Sequence, residues 1–82
     1  MRVNIEDMKQ GAVVTVTTIN NVYGLTVQDA KNRLVQVDGS GCYSGEANVL
    51  NHFIEEGAPL FLGTLPDGRL IRTSLVQKIS VN

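Results

Sequence analysis

The sequence has a single cysteine, Cys42, so one chain can form neither an internal disulfide nor a zinc site built from several cysteines. This scarcity favours a reducing compartment, and we expect the protein to be cytoplasmic. No apolar run approaches the roughly 18 residues that are needed to cross a bilayer. Residues 1–7 carry one basic side chain but are not followed by the apolar segment of a secretory signal. These absences exclude a disulfide scaffold and predict that no membrane is among the partners.

The sequence also lacks a surplus of either charge. Seven basic and eight acidic side chains give a formal net charge of −1. Proteins that bind nucleic acid without sequence preference have basic surfaces, because phosphate neutralisation supplies most of their affinity. Nucleic-acid binding therefore ranks third among the functional hypotheses, after protein interaction and the binding of a nucleotide or another anion, which are described below. It would require Arg33, Arg69, Arg72 and Lys78 to lie together on one surface.

Size and composition predict one small globular domain over residues 1–82. Hydrophobic residues make up 43% and charged residues 18%, a balance that is typical of folded rather than disordered chains. A chain of this length buries a modest share of its surface, and no disulfide or metal cluster compensates for that. Self-association would bury more apolar surface, so a homo-oligomer is one expectation.

Three runs predict the first strands, over residues 12–19, 23–29 and 34–38, and the first of them is dense in β-branched residues. Each run alternates with a period of two, which places Val14 and Val16 on one face. In the same way Tyr23, Leu25 and Val27 share a face. Polar turns at residues 20–21 and 30–33 separate the runs, so an antiparallel meander is the simplest topology.

A different periodicity follows the glycine-rich stretch Asp38–Gly45. Ala47, Leu50, Phe53 and Ile54 recur at helical spacing and predict one short helix at about residues 46–56. Ser44 is its predicted N-cap, and Gly57 suits the left-handed position after its end.

The last third of the chain predicts strands again. Residues 60–65 form one strand, Pro66-Asp67-Gly68 form a hairpin turn, and residues 70–73 form the return strand. An irregular turn and a final strand near residues 78–81 complete the chain. Five to six short antiparallel strands and one helix predict a mainly β fold, an SH3-like barrel. An OB-like barrel is the alternative, because such barrels often have a helix between their third and fourth strands.

The segment Arg72–Ile79, which follows the Pro-Asp-Gly hairpin, resembles the tails of small SH3-like β-barrel proteins of phages and bacteria. The resemblance covers the last quarter of the chain. Such proteins are often host-directed or accessory binders, so the resemblance implies a phage accessory role. It identifies no site residue.

Catalysis has little support in the sequence. The only histidine, His52, is expected on the solvent-facing flank of the predicted helix, and no activating signature surrounds it or Cys42. A metal site would need further ligands near His52, and none is spaced for that purpose. We therefore predict no enzyme activity, no metal site and no cofactor.

The leading hypothesis is a protein-interaction module that acts as an adaptor or an inhibitor. Arginine and tyrosine are frequent interface hot spots, and arginine also binds phosphates and carboxylates through its planar fork. Tyr23 is equally consistent with the core, because its face carries Leu25 and Val27. The candidate binding residues of this kind are Arg33, Arg69, Arg72, Tyr23 and Tyr43.

The second hypothesis is a nucleotide or another anion bound at the Gly39–Gly45 loop. Amides at the N-terminus of the predicted helix attract anions, and glycines let a phosphate approach the backbone. Gly39, Gly41 and Ser44 are the candidate residues, and an oligomer interface is the alternative place for such a ligand. A plain strand-to-helix connector explains the same glycines equally well.

Overall fold

The protein is a closed antiparallel barrel of six strands with a small two-stranded sheet. The computed structural model describes all residues, Met1–Asn82. The strands are β1 (Arg2–Val3), β2 (Val13–Thr18), β3 (Val22–Asp29), β4 (Leu34–Asp38), β5 (Ser44–Val49), β6 (Ile54–Glu55), β7 (Pro59–Thr64) and β8 (Leu70–Val81), and a 3-10 turn spans Ile5–Asp7. Strands β2, β3, β4, β5, β7 and β8 pair in that order, and β8 closes on β2, whereas β1 pairs with β6. The predicted mainly β barrel is confirmed.

The interior of the barrel is filled by the alternating apolar residues of its strands. Val14 and Val16 of β2 are fully buried, and Tyr23, Leu25 and Val27 of β3 point to the same interior, as their period of two predicts. β-branched residues dominate because they pack well on a pleated surface. The core consists of Val3, Ile5, Val14, Val16, Tyr23, Leu25, Val27, Val35, Val37, Ala47, Val49, Ile54, Leu60, Leu62, Val76 and Ile79.

The prediction of a helix at about residues 46–56 is wrong, because the first part of this segment belongs to strand β5. Ala47 and Val49 both face the interior, which is a strand period of two. Strands β4 and β7 pair with β5 on its two sides, and these pairings override the weak local preference for a helix. Ser44 consequently begins a strand opposite Asp38 and is not an N-cap.

The rest of the predicted helix is an excursion outside the barrel. Asn51 fixes it, since its amide donates to Pro59 O at 3.0 Å and accepts from Phe61 N at 2.7 Å. Ile54 then pairs with Val3 in the two-stranded sheet. Gly57 does adopt positive φ, but in the turn that follows β6.

The two strands predicted at residues 70–73 and 78–81 are one continuous strand, β8. Its first half pairs with β7, where Leu70 lies opposite Gly63, and its second half pairs with β2, where Ile79 lies opposite Val16. The register shifts in its pairing with each neighbouring strand, and the extra residue at each shift lies in β8, which lets this long strand bend around the barrel. The irregular turn that was predicted after residue 73 is therefore wrong.

The predicted hairpin between the last two strands is confirmed as a turn over residues 65–69. Gly68 has positive φ, and the Leu65–Pro66 peptide bond is cis. The Thr64 hydroxyl donates to the Asp67 carboxylate, and this hydrogen bond lowers the pKa of Asp67 below its usual value. The turn aligns the outward residues of β7 with those of β8.

The chain has no helix of the length and hydropathy that crossing a bilayer requires.

Candidate binding surface

An exposed apolar surface lies on the outside of the barrel, where β5, β7 and β8 run side by side. Its members are five residues, which we call the apolar face. Leu50, Leu65 and Leu70 expose 50%, 39% and 61% of their surfaces, respectively. Phe61 and Gly63 lie between them and are partly exposed. The apolar face consists of Leu50, Phe61, Gly63, Leu65 and Leu70.

The alternation of β7 creates this face. Leu60, Leu62 and Thr64 point inward and are buried, so the intervening Phe61 and Gly63 point outward. Register then adds the neighbours, because Gly63 pairs with Leu70 on β8 and with Asn48 on β5. Apolar residues therefore occupy both faces of β7, although only one face is covered by the core.

Gly63, at the centre of the apolar face, has no side chain of its own and lies under the side chain of Leu50. A Cβ built on Gly63 would lie 3.6 Å from Leu50 Cδ2 and 3.8 Å from Leu50 Cδ1, so the Leu50 side chain already rests over the glycine. Leu50 is held there by its backbone, since its N–H donates to Phe61 O at 2.9 Å. A partner meets a nearly flat apolar surface at this point.

Two exposed charges border the apolar face at opposite corners. Arg72 lies directly opposite Phe61 on β8. Glu46 lies on β5, and its carbonyl oxygen accepts from Leu65 N at 3.0 Å. The ion pairs within the chain are Met1–Glu56 and Arg33–Glu6, so Glu46 and Arg72 have no charged partner in their own chain.

The basic residues singled out from the sequence are spread over the molecule. Arg33 lies in the turn between β3 and β4, where its Nη2 and Nε donate to Glu6 Oε1 at 2.6 and 2.9 Å. Arg69 is exposed in the turn before β8, and its backbone N–H donates to Thr64 Oγ1. Lys78 lies opposite Thr17, on the half of β8 that faces β2. Of these basic residues, only Arg72 is paired with a residue of the apolar face, Phe61.

The glycine-rich loop is the tight turn of the hairpin between β4 and β5. Ser40 and Gly41 both have positive φ, and Cys42 N donates to Gly39 O at 2.9 Å. Gly39 is buried, and a Cβ there would overlap the carbonyl oxygen of Tyr43. Turn geometry thus accounts for both glycines. The anion hypothesis relied on a helix after this loop, and a strand stands there instead.

The two tyrosines are structural neighbours of this turn. Tyr43 is partly buried against the core, and its hydroxyl donates to Glu46 O at 2.7 Å. Tyr23 is a core residue that is only 3% exposed. Burial, with smaller contributions from the neighbouring Cys42 thiol, raises the pKa of Tyr23 to about 12. The Cys42 Sγ also accepts from Asn21 Nδ2 at 3.1 Å, which ties this turn to the turn between β2 and β3.

His52 is exposed, as predicted, but lies in the excursion and not on a helix. Arg33 Nη2 lies 3.3 Å from its Nδ1, and the ring packs edge-on against Phe53 with a centroid distance of 4.5 Å. Arg2 stacks over the same Phe53 ring at 3.8 Å. No group of three or more metal-ligating side chains is assembled. An open hollow of about 390 Å³ is lined by Met1, Arg2, Glu55 and Glu56.

The sequence contained one signal for the apolar face that a strict alternation argument misses. The strand sequence Pro59–Thr64 followed by Leu65 reads Pro-Leu-Phe-Leu-Gly-Thr-Leu, with almost no polar alternation. Such runs are typical of strands that are covered on both sides. In this barrel nothing within the chain covers the outer side.

No protein-family model, curated protein or solved structure matches this chain.

Proposed function

We propose that this chain is a non-catalytic protein-interaction module that binds a protein partner on the apolar face. The observation that carries the proposal is the cluster of three exposed leucines around Gly63. Large side chains scattered singly over a surface need no explanation, but a contiguous group marks an interaction site. Covering it would remove apolar area from water at roughly 25 cal/mol for each Å².

The composition of this region supports a protein as the partner. Interfaces between proteins are enriched in aromatic residues and arginine, and their centres are poor in charge. Phe61 lies within the apolar face and Arg72 on its border, while the centre has no charged residue. Arg72 is thus the predicted hot-spot residue whose surroundings support that role best.

The closed barrel supports binding through side chains. A sheet with a free edge can recruit a partner strand through backbone hydrogen bonds. Here β8 pairs with both β7 and β2, so the six barrel strands have no free edge. Recognition on the barrel wall therefore uses the outward side chains of β5, β7 and β8. An adaptor or an inhibitor can work in this way, because each needs a binding surface and no reacting group.

One further observation favours binding over catalysis, and another favours a reducing compartment. His52 contacts Arg33 and Phe53, and neither is a nucleophile that it could activate. Cys42 is a free, exposed thiol, which persists in a compartment such as the cytoplasm.

Site-specific photo-crosslinking tests the proposal. A benzophenone amino acid is placed at Leu70 on the apolar face, and in a second variant at Val22, which is 43% exposed. Val22 lies on β3, three strands away from β7 in either direction around the barrel. Irradiation in cells of the source organism should give one defined protein adduct from position 70 and none from position 22. Mass spectrometry identifies the adduct.

A matched variant makes the result specific. Leu50→Ser and Leu65→Ser together should abolish the adduct from position 70, because they remove apolar area from the same face. Equal labelling from both positions, or no adduct from position 70, would contradict the proposal.

A further inference from the structure

We propose that the occupant of the apolar face is a second copy of this chain, held by two reciprocal Glu46–Arg72 ion pairs. This inference rests on the proposed function, namely that the face is a protein-docking surface. It adds the identity of the partner and the geometry of the contact.

The outward residues of β5, β7 and β8 form a regular array. Register aligns Asn48, Gly63 and Leu70 in its middle row. Hydrogen bonds place Leu65 beside Glu46 and Leu50 beside Phe61, and Arg72 pairs with Phe61. Counted from β5 through β7 to β8, the rows are Glu46–Leu65, Asn48–Gly63–Leu70 and Leu50–Phe61–Arg72.

Glu46 and Arg72 cannot neutralise each other within one chain. They are separated by two strand spacings, roughly 10 Å, and by four residues along the strands, roughly 13 Å. Neither has another charged partner in its own chain, and both are exposed. Each is therefore free to pair with an opposite charge that a docked molecule presents at its corner.

A two-fold axis makes the face complementary to itself. Homodimers use the same patch twice, so a residue i that contacts j requires j to contact i. An axis in the plane of the face that passes through Gly63, perpendicular to the line from Glu46 to Arg72, exchanges the two charged corners and runs close to Leu50. Glu46 then meets the partner's Arg72, Leu65 meets the partner's Leu70, and Gly63 lies opposite the partner's Gly63. The Leu50 side chain, which rests over Gly63, packs against the partner's Leu50 at this centre.

Size and charge are compatible with such a dimer. A standard interface buries about 800 Å² on each partner, which is about one sixth of the 4584 Å² surface of this chain. The face spans three of the six barrel strands. A net charge of −1 for each chain adds little long-range repulsion between two copies.

Charge reversal tests the inference directly. The variants Glu46→Arg and Arg72→Glu each place like charges opposite one another twice in a homodimer. We expect each to weaken dimerisation at least tenfold, measured by sedimentation velocity at low salt, where rim charges are least screened. The double variant Glu46→Arg with Arg72→Glu should dimerise as the wild type does. Circular dichroism verifies that each variant is folded.

Mixing the two single variants gives the sharpest result. One chain then presents arginine at both corners and the other glutamate, so opposite charges meet at both contacts. At a concentration where each component alone is monomeric, an equimolar mixture should form heterodimers. The control is Lys78→Glu, which changes the net charge as Arg72→Glu does but lies on the other half of β8. It should leave dimerisation unchanged.

Several outcomes would overturn the inference. These are a wild-type chain that stays monomeric up to about 100 μM, a range that includes weak specific dimers, single variants that dimerise normally, or a mixture that stays monomeric. If the chain is monomeric and the crosslink from position 70 joins it to a different protein, the docking function stands and the second copy is wrong. If position 70 gives no adduct at all, the docking function itself fails.

Discussion

The Leu50 side chain rests over the backbone of Gly63: the three heavy atoms nearest to a Cβ on Gly63 all belong to Leu50. The closest of them is 3.6 Å away, which is an ordinary van der Waals contact. Gly63 is also not among the glycines with positive φ. The fold of one chain thus tolerates a methyl group at position 63, and the glycine there serves the shape of the surface.

Gly63→Ala should therefore raise the free energy of unfolding by about 0.5 kcal/mol, because alanine loses less conformational entropy than glycine on folding. Urea denaturation at a low protein concentration measures the change. Gly41→Ala is the matched control: it also enters open space, but at a φ of +91°. That variant should lose about 1 kcal/mol, since a Cβ is strained in this region. A clear loss of stability in Gly63→Ala would contradict the strand geometry.

Gly39→Ala should destabilise the protein by about 2 kcal/mol, because its Cβ overlaps the Tyr43 carbonyl oxygen and backbone must move. Gly24→Ala, on the neighbouring strand, is the control. A Cβ there meets its nearest atom at 3.9 Å, so little change is expected. Thermal unfolding of both variants measures the difference. Equal stabilities would show that the turn between β4 and β5 differs from the one described.

Ile54→Ala and Leu50→Ala distinguish the observed excursion from the helix that the sequence suggested. On a helix the two side chains would share one face and be buried together. In the structure Ile54 is 1% exposed and Leu50 is 50% exposed. Ile54→Ala should therefore cost about 3 kcal/mol and Leu50→Ala less than about 1 kcal/mol. Guanidinium denaturation at low protein concentration measures both, and similar losses would support the helix.

The error at residues 46–56 has a physical cause. The sequence pattern correctly predicts that Ala47 and Ile54 are buried, but the two residues lie in different strands and not on one face of a helix. Spacing alone cannot reveal that β7 pairs with β5, or that Asn51 satisfies the backbone of β7 from outside. By contrast, β2, β3 and β4 were predictable, because their alternation and short turns specify neighbours that are close in the sequence. The SH3-like subtype stays a prediction.

The site residues were harder to predict than the fold. Hot-spot statistics selected Tyr23, which fills the core, and Arg33, which pairs with Glu6. Arg72 borders the apolar face only because of register between β7 and β8, which a single sequence does not specify beyond the hairpin. The leucines of the face look like core residues in the sequence, and only the closed barrel places them outside.

Tyr23 should titrate with a pKa of about 12, because burial and the neighbouring Cys42 thiol disfavour its phenolate. In the Tyr43→Phe variant Tyr23 is the only tyrosine, so absorbance at 295 nm follows it alone. Adding Cys42→Ala should lower this pKa partway towards 10. A midpoint near 10 in the folded protein would contradict the burial of the ring.

This titration also predicts how stability depends on pH. The folded-state pKa of Tyr23 is about 12 and the unfolded value is near 10, so between these values the unfolded chain binds fewer protons. The contribution of Tyr23 is therefore complete below pH 10 and is lost as the pH rises towards 12. The loss should be about 2 kcal/mol, and Tyr23→Phe should remove this part of the pH dependence in urea titrations.

The pairing of β8 with both β7 and β2 delays closure of the barrel during translation. Because β2 is the first barrel strand in the sequence and β8 is the last, the pairing that closes the barrel can form only after β8 has emerged from the ribosome. Every shorter nascent chain leaves β2 and β7 with unpaired backbone groups, which invite association with other chains. Shielding of these edges by a chaperone until β8 has emerged would then determine how much of the translated product reaches the closed barrel.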